Sequence, residues 1–185
     1  PQHGPRSLAD QQGGFYDDWD THSVSGFYRA HAEQLIIPPL ATEAMTAEQR
    51  ELLAPIEARG KPVLNIFRTL ANHPDALRGF LGLGSYVLSR RNTLPARERE
   101  IVVLRAGFLC RSGYEWTQHV PIGQRAGLTD DEVARIKGGA GAPGWSAADQ
   151  ALLRASDELH HDQFITDATW AALKAHFTDK QCMDV

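Results

Sequence analysis

The stretch that decides the fold runs from Leu94 to Leu128 and reads LPAREREIVVLRAGFLCRSGYEWTQHVPIGQRAGL. Its first half opens at Pro95 and carries Ile101, Leu104 and Phe108 at the spacing of one helical face, which predicts an amphipathic helix. Its second half shows no alternation of apolar and polar residues, so we predict a second helix there. Two consecutive helices therefore form the centre of the predicted domain.

Capping boxes mark further helix starts on both sides of this stretch. In a capping box a Ser or Thr and a Glu or Gln three residues later each bond the other's backbone amide. The pattern occurs at Thr46, Thr129 and Thr178. With Gly and Pro as punctuation, we predict helices from Thr46 to Gly60, over 65–72, from Pro74 to about Arg91, from Thr129 to Gly138, from Ser146 to about His161, and from Thr166 or Asp167 to His176. No segment alternates with period two, so the predicted fold class is all-α, a compact helical domain.

The two ends of the chain differ from this helical part. Residues 1–34 are rich in Gly, Gln, Asp and Ser without periodicity, so we predict a poorly ordered N-terminal arm before one helical domain over 35–185. Scattered aromatic residues leave packing of the arm on the domain or on a neighbouring subunit as an alternative. Only four residues follow the capping box at Thr178, too few to offset helix nucleation, so we expect the final helix to be truncated.

Composition limits the classes of function. The 185 residues, 42% of them hydrophobic, suffice for one globular domain with its own core. A formal charge of −4 gives no positive field for nucleic acid or an anionic membrane. Neither a membrane span nor a signal-peptide core occurs, and Cys110 and Cys182 lie outside any CxxC pattern. We predict a cytoplasmic protein with no nucleic-acid or membrane partner.

Three residues in the central stretch suggest acid-base chemistry. Glu100 lies on the first predicted helix, and Glu115 and His119 are spaced i, i+4 on one face of the second. A carboxylate and an imidazole on facing helices can pass a proton to a bound molecule. Each residue also has an ordinary structural explanation. Glu–His pairs such as Glu115 and His119 are common on surfaces, and Glu115 also forms a capping-box pattern with Ser112. Glu100 is an acid near a helix start, where the helix dipole favours it.

The sequence resembles the carboxymuconolactone decarboxylase and alkyl hydroperoxidase D-like superfamily over most of residues 40–185. The resemblance lies in the blocks LPARERE, YEWTQHV and GLTDDEVARI, followed by ADQALLRASDELH and TDATWAAL. It implies that residues 35–185 form an all-α domain of the alkyl hydroperoxidase D-like type, which assembles as a homotrimer or homohexamer with sites near subunit contacts. It also implies a small-molecule substrate and no cofactor.

One motif of the superfamily is only partly present. In the hydroperoxidase branch the site motif is CxxCxxxH, with a Glu nineteen positions before the His. His119 and Glu100 match the His and the Glu, whereas the cysteine positions fall on Ser112 and Glu115. The chain therefore resembles a branch without the redox pair. Pro121 is a further departure, and we expect it to kink the helix just after His119.

The resemblance implies a cofactor-free lyase or isomerase of decarboxylase type, acting by proton transfer on a small carboxylated carbonyl compound or lactone. His119 would donate or shuttle the proton, Glu100 would orient its ring, and Glu115 would do the same or act as a base. We assign substrate binding to Ser112, Tyr114, Trp116 and Cys110. Tyr114 and Trp116 cannot share a helix face, so one of them packs and the other lines a cavity or a subunit contact.

Several alternatives stay open at this point. The protein could instead be a thiol-dependent hydroperoxidase centred on Cys110, or a non-catalytic oligomeric binding protein. Cys110 itself is predicted as a small buried hydrophobe. Arg97 and Arg99 are predicted at a solvent-exposed helix end, with binding of a substrate carboxylate as the alternative. His160 and His161 with neighbouring aspartates have ordinary solvated spacing, so we expect no metal site.

Overall fold

The computed structural model describes residues 37–58, 60 and 62–185, so the arm predicted at 1–34 lies outside the described residues. The described part forms nine α-helices and no strand, which confirms the all-α prediction. None of these helices combines the length and the apolar character needed to cross a membrane. The helices are α1 (Ala47–Glu57), α2 (Asn65–Leu70), α3 (Pro74–Val87), α4 (Ala96–Leu109), α5 (Gly113–Arg125), α6 (Asp130–Ile136), α7 (Ala147–Asp162), α8 (Asp167–Lys174) and α9 (Asp179–Met183), with 3-10 turns at Thr42–Ala44 and Gly139–Gly141.

The contacts divide the chain into two compact units, with the boundary between Asn92 and Thr93. In the N-terminal unit, α1, α2 and α3 enclose a small core. Its buried members are Met45, Leu53, Ala71 and Leu77. The domain limits predicted at residues 34 and 35 stay a prediction.

The C-terminal unit is built around α4, which packs against both α5 and α7. Ile101 and Leu104 are fully buried and Phe108 is partly buried, as their helical spacing predicts. Residues from α5 to α8 complete one apolar cluster around them, including Trp116, Val120, Ile136, Leu152, Leu153 and Leu173. The helix that carries Glu100 therefore lies in the core of this unit.

The helix starts agree with the sequence signals better than the helix ends do. The capping boxes at Thr46, Thr129 and Thr178 all form, and Thr166 is the cap of α8. Three helices end before the predicted residue: α1 ends at Glu57 instead of Gly60, α3 at Val87 instead of about Arg91, and α8 at Lys174 instead of His176.

The nucleation argument against a helix after Thr178 was wrong. A five-residue helix, α9, forms there because tertiary contacts hold it. Asp184 Oδ2 accepts hydrogen bonds of 2.6 Å from both the amide and the hydroxyl of Thr93. Gln181 Nε2 donates to the Thr93 carbonyl at 3.2 Å. The last turn of the C-terminal unit is thereby fastened to its first residue.

A buried arginine links three elements of the C-terminal unit. Arg105 Nε donates to Asp157 Oδ1 at 2.6 Å, and its Nη1 donates to the carbonyls of Ile136 and Lys137 at 3.0 and 2.9 Å. These bonds tie α4 to α7 and satisfy carbonyls at the end of α6. Gly139 packs against this guanidinium at a φ of +66°, where a Cβ would lie 2.7 Å from Arg105 Nη2. Glycine is therefore favoured at 139 both by backbone conformation and by space.

We expect Gly139→Ala to lower the free energy of unfolding by about 2–5 kcal/mol, measured by chemical denaturation. About 1–2 kcal/mol comes from the positive φ and about 1–3 kcal/mol from overpacking against Arg105. Gly60→Ala is the control for conformation, because its φ is +71° and no described atom lies within 4 Å of the added Cβ. Equal losses in the two variants would contradict the steric contribution.

Candidate active site

The centre of the candidate site is a hydrogen bond between two buried side chains on neighbouring helices. Glu100 of α4 is 0% exposed, and its Oε2 lies 2.7 Å from Nδ1 of His119 on α5. A carboxylate removed from water needs such partners, because burial without them is costly. Gly123 of α5 leaves room for its neighbours, since a Cβ there would lie 2.9 Å from Leu128 Cδ1 and 3.4 Å from Leu104 Cδ1 of α4. The structure thus brings together the two residues that the motif pairs.

Glu115 lies on the other side of the His119 ring. Its Oε2 is 3.6 Å from His119 Nε2, and its side chain is 40% exposed. A proton on Nδ1 satisfies the bond to Glu100 and leaves Nε2 to exchange a proton on the Glu115 side. The distance is long for a hydrogen bond, as is common in catalytic sites before substrate binds. The imidazole therefore stands between a buried and a partly exposed carboxylate.

The turn between α4 and α5 explains why the Glu115 carboxylate is directed at His119. Arg111 adopts a φ of +55°, and Ser112 then caps α5 by accepting from the Glu115 amide at 3.4 Å. The Ser112 amide donates to the Gly107 carbonyl at 2.8 Å. In a full capping box the Ser112 amide would instead donate to the Glu115 side chain. The capping-box alternative for Glu115 is accordingly only half formed.

The two aromatic residues of the motif lie in different surroundings. Trp116 is 2% exposed, and its ring packs 6.1 Å from that of Phe108, between centroids. The Lys137 ammonium lies 5.2 Å from the Trp116 ring centroid, and burial lowers the pKa of this lysine. Tyr114 is only partly buried. Trp116 is therefore a core residue, and of the pair Tyr114 is the one nearer the surface.

The expectation that Cys110 is buried was wrong. Cys110 follows the last residue of α4 and is exposed, with its Sγ 3.8 Å from His160 Nδ1. It follows Glu100 by ten residues, which corresponds to roughly 15 Å along a helix. Cys182 is partly buried, and burial raises the pKa of its thiol. The thiol of Cys110 thus has His160 as its neighbour, whereas His119 is paired with Glu100.

The expectation that Arg97 and Arg99 lie in solvent was also wrong, because both side chains are largely covered. Arg97 donates to Asp149 at 2.8 Å and to Glu132 at 2.5 Å. The bond to Asp149 is the main reason that the pKa of Arg97 is raised. Both acids stand three residues after a capping Thr or Ser. This spacing shows in the sequence that a helix starts there, but it does not show that the acid pairs with Arg97. Arg97 therefore joins the starts of α4, α6 and α7.

The histidines at the end of α7 do not form a metal centre with their neighbours. Among the described residues, no three His, Cys, Asp or Glu side chains are arranged to hold a metal ion. The rings of His160 and His161 contact each other edge to face, with centroids 4.9 Å apart. Asp157 is occupied by Arg105.

A comparison with known families found a match that covers the centre of the chain. Residues 74–158 match the model of the carboxymuconolactone decarboxylase family, a range that includes Glu100, Glu115 and His119. Residues 74–158 are therefore similar to the carboxymuconolactone decarboxylase family, and the two cysteines of the chain do not make a CxxC pair. This confirms the family resemblance of the sequence. Searches of curated proteins and of solved structures found no match.

The ion pair between Arg97 and Glu132 at the start of α4 makes the stability of the fold decrease at acid pH. Burial raises the pKa of Glu132, but hydrogen bonds from the Thr129 amide and from Arg97 outweigh it and hold the pKa below its ordinary 4.5. A carboxyl with a depressed folded pKa stabilises the fold fully above the unfolded pKa, and this contribution is lost as pH falls through the folded value. We expect Glu132→Gln to lower the melting temperature at pH 7 and to flatten its fall below pH 4.5.

The control is Asp131→Asn, which removes one negative charge from the same first turn at an exposed position. Thermal melts between pH 3 and pH 7 should show a nearly unchanged acid limb in this variant. An acid limb as steep in Glu132→Gln as in the wild type would contradict the role of Glu132.

Proposed function

We propose that this domain is a decarboxylase-type lyase or isomerase in which His119 transfers a proton, Glu100 orients its ring, and Glu115 supports the ring or acts as a base. The proposed substrate is a small carboxylated carbonyl compound or lactone. The observation that supports this most is the 2.7 Å bond that fixes the His119 ring against a fully buried carboxylate while Nε2 faces the partly exposed Glu115.

The chemistry suits a substrate whose carboxylate stands next to a conjugated carbonyl. The bond to the carboxylate carbon breaks, carbon dioxide leaves, and the electron pair moves into the carbonyl to give an enolate. Return of that pair to carbon takes up one proton, which Nε2 of His119 would take from solvent and pass on directly or through Glu115. Glu100 would hold the ring in one orientation, so that little rearrangement is needed when the proton moves. The substrate is its own electron sink in this scheme, so no cofactor enters.

A thiol-dependent hydroperoxidase is the rival function, favoured by the exposed Cys110 beside His160. It needs a thiolate to attack the peroxide and a second thiol to resolve the sulfenate. The motif positions for those thiols hold Ser112 and Glu115. A hydroxyl and a carboxylate cannot replace them, so acid-base chemistry is the better-supported function.

The relay makes a testable prediction about turnover. We expect His119→Ala and Glu100→Gln each to lower kcat by roughly two to four decades, the usual contribution of an acid-base group. Their effects should not add, because a carboxylate that orients the ring has nothing to orient once the ring is gone. Carboxylated lactones, and any ligand that mass spectrometry finds co-purified with the protein, are the substrates to assay.

Thr166→Ala is the matched control, because it removes the cap of α8, a helix that carries none of the proposed site residues, and should leave kcat within a few-fold of wild type. Circular dichroism should establish that each variant is folded. Wild-type turnover in folded His119→Ala and Glu100→Gln would overturn the relay and favour a non-catalytic binding protein.

The rival function is tested by hydroperoxide consumption. We expect only slow, stoichiometric oxidation of the wild-type protein, because the paired thiols of a catalytic cycle are missing. The assay follows loss of an organic hydroperoxide in the presence of a dithiol reductant. Rapid catalytic consumption that Cys110→Ser abolishes would show that the hydroperoxidase alternative is right.

A further inference from the structure

The second oxygen of Glu100 has a partner that the relay does not use. Arg99 Nε lies 3.4 Å from Glu100 Oε1, while Oε2 contacts His119. Adjacent residues on a helix normally point to different faces. The Arg99 side chain nevertheless lies along its neighbour and is only 13% exposed. The buried carboxylate is thus held at both of its oxygens.

We propose that Arg99 is a positioning residue for the relay, an inference that rests on the proposed function. The terminal torsion of a glutamate is broad and roughly two-fold, so a carboxylate held at one oxygen can still turn. Arg99 occupies Oε1 and thereby directs Oε2 at His119 Nδ1. This keeps the proton on Nδ1 and presents Nε2 to Glu115.

Arg97 provides the contrast on the same helix. Its guanidinium bonds Asp149 and Glu132 on other helices, whereas Arg99 bonds the site carboxylate. Loss of Arg97 should therefore reduce stability without changing the state of the His119 ring. Loss of Arg99 should change the ring. Comparison of Arg97 and Arg99 variants therefore distinguishes a positioning role of Arg99 from a general effect of removing an arginine.

The test is nitrogen-15 NMR of the histidine rings in the full chain, with His119 assigned from the signals lost in His119→Gln. In the wild type we expect two well-separated ring nitrogen signals, with the proton on Nδ1. In Arg99→Gln the two signals should move toward each other as the tautomers mix. Arg99→Lys keeps the charge but not the planar donor, so an intermediate shift is expected. Arg97→Lys should leave the signals unchanged.

Glu100→Gln distinguishes failure of this inference from failure of the proposed function. Unchanged His119 signals in folded Arg99→Gln, together with altered signals in Glu100→Gln, would overturn the role of Arg99 and leave the relay intact. Unchanged signals in both variants would overturn the Glu100–His119 pair itself. With a substrate in hand, Arg99→Gln should lower kcat on the order of tenfold at unchanged KM.

A second readout uses the wild-type protein and does not depend on the folding of any Arg99 variant. The Arg99 Nε–H should exchange with solvent at least about tenfold more slowly than that of exposed Arg125, because it donates to a buried carboxylate. Glu100→Gln should accelerate the exchange. Equal exchange rates for Arg99 and Arg125 in the wild type would overturn the proposal.

Discussion

The hydrogen bond between Glu100 and His119 is the constraint around which the C-terminal unit is organised. It places an ionisable carboxyl where no water reaches it, and this arrangement is tolerated only if the surrounding helices keep its partners in place. Helix α4 is correspondingly held by α5 on one side and α7 on the other. The precision that a proton relay needs is therefore supplied by packed helices rather than by loops.

Polar anchors along α4 complement this packing. Arg97 joins the start of the helix to α6 and α7, and Arg105, two turns later, joins it to α7 and to the end of α6. Each arginine is largely buried but has carboxylates or carbonyls to receive its donors. Helix α4 is therefore joined to its neighbours by directional bonds as well as by apolar contacts.

Sequence patterns between residues close in the chain predicted much of this fold. Contacts between residues far apart in the chain could not be predicted from a single sequence. The caps at Thr46, Thr129 and Thr178 depend on residues three apart, so a single sequence displays them. The partners of Arg97 lie 35 and 52 residues away, and the anchor of α9 lies 91 residues from Asp184, so the sequence alone hides both. The pairing of Glu100 with His119 was predicted from the motif, and its burial was not.

The bonds between Asp184 and Thr93 have a topological consequence. They bring the last turn of the C-terminal unit against its first residue, so the backbone of that unit traces a nearly closed ring. In a ring the location of the chain ends is arbitrary. A permuted gene of this unit that joins these two points by a short linker and opens the chain at an exposed turn, such as the one at Pro143 and Gly144, would retain the helix contacts of the unit. The order in which the helices are synthesised is thus separable from the architecture they build.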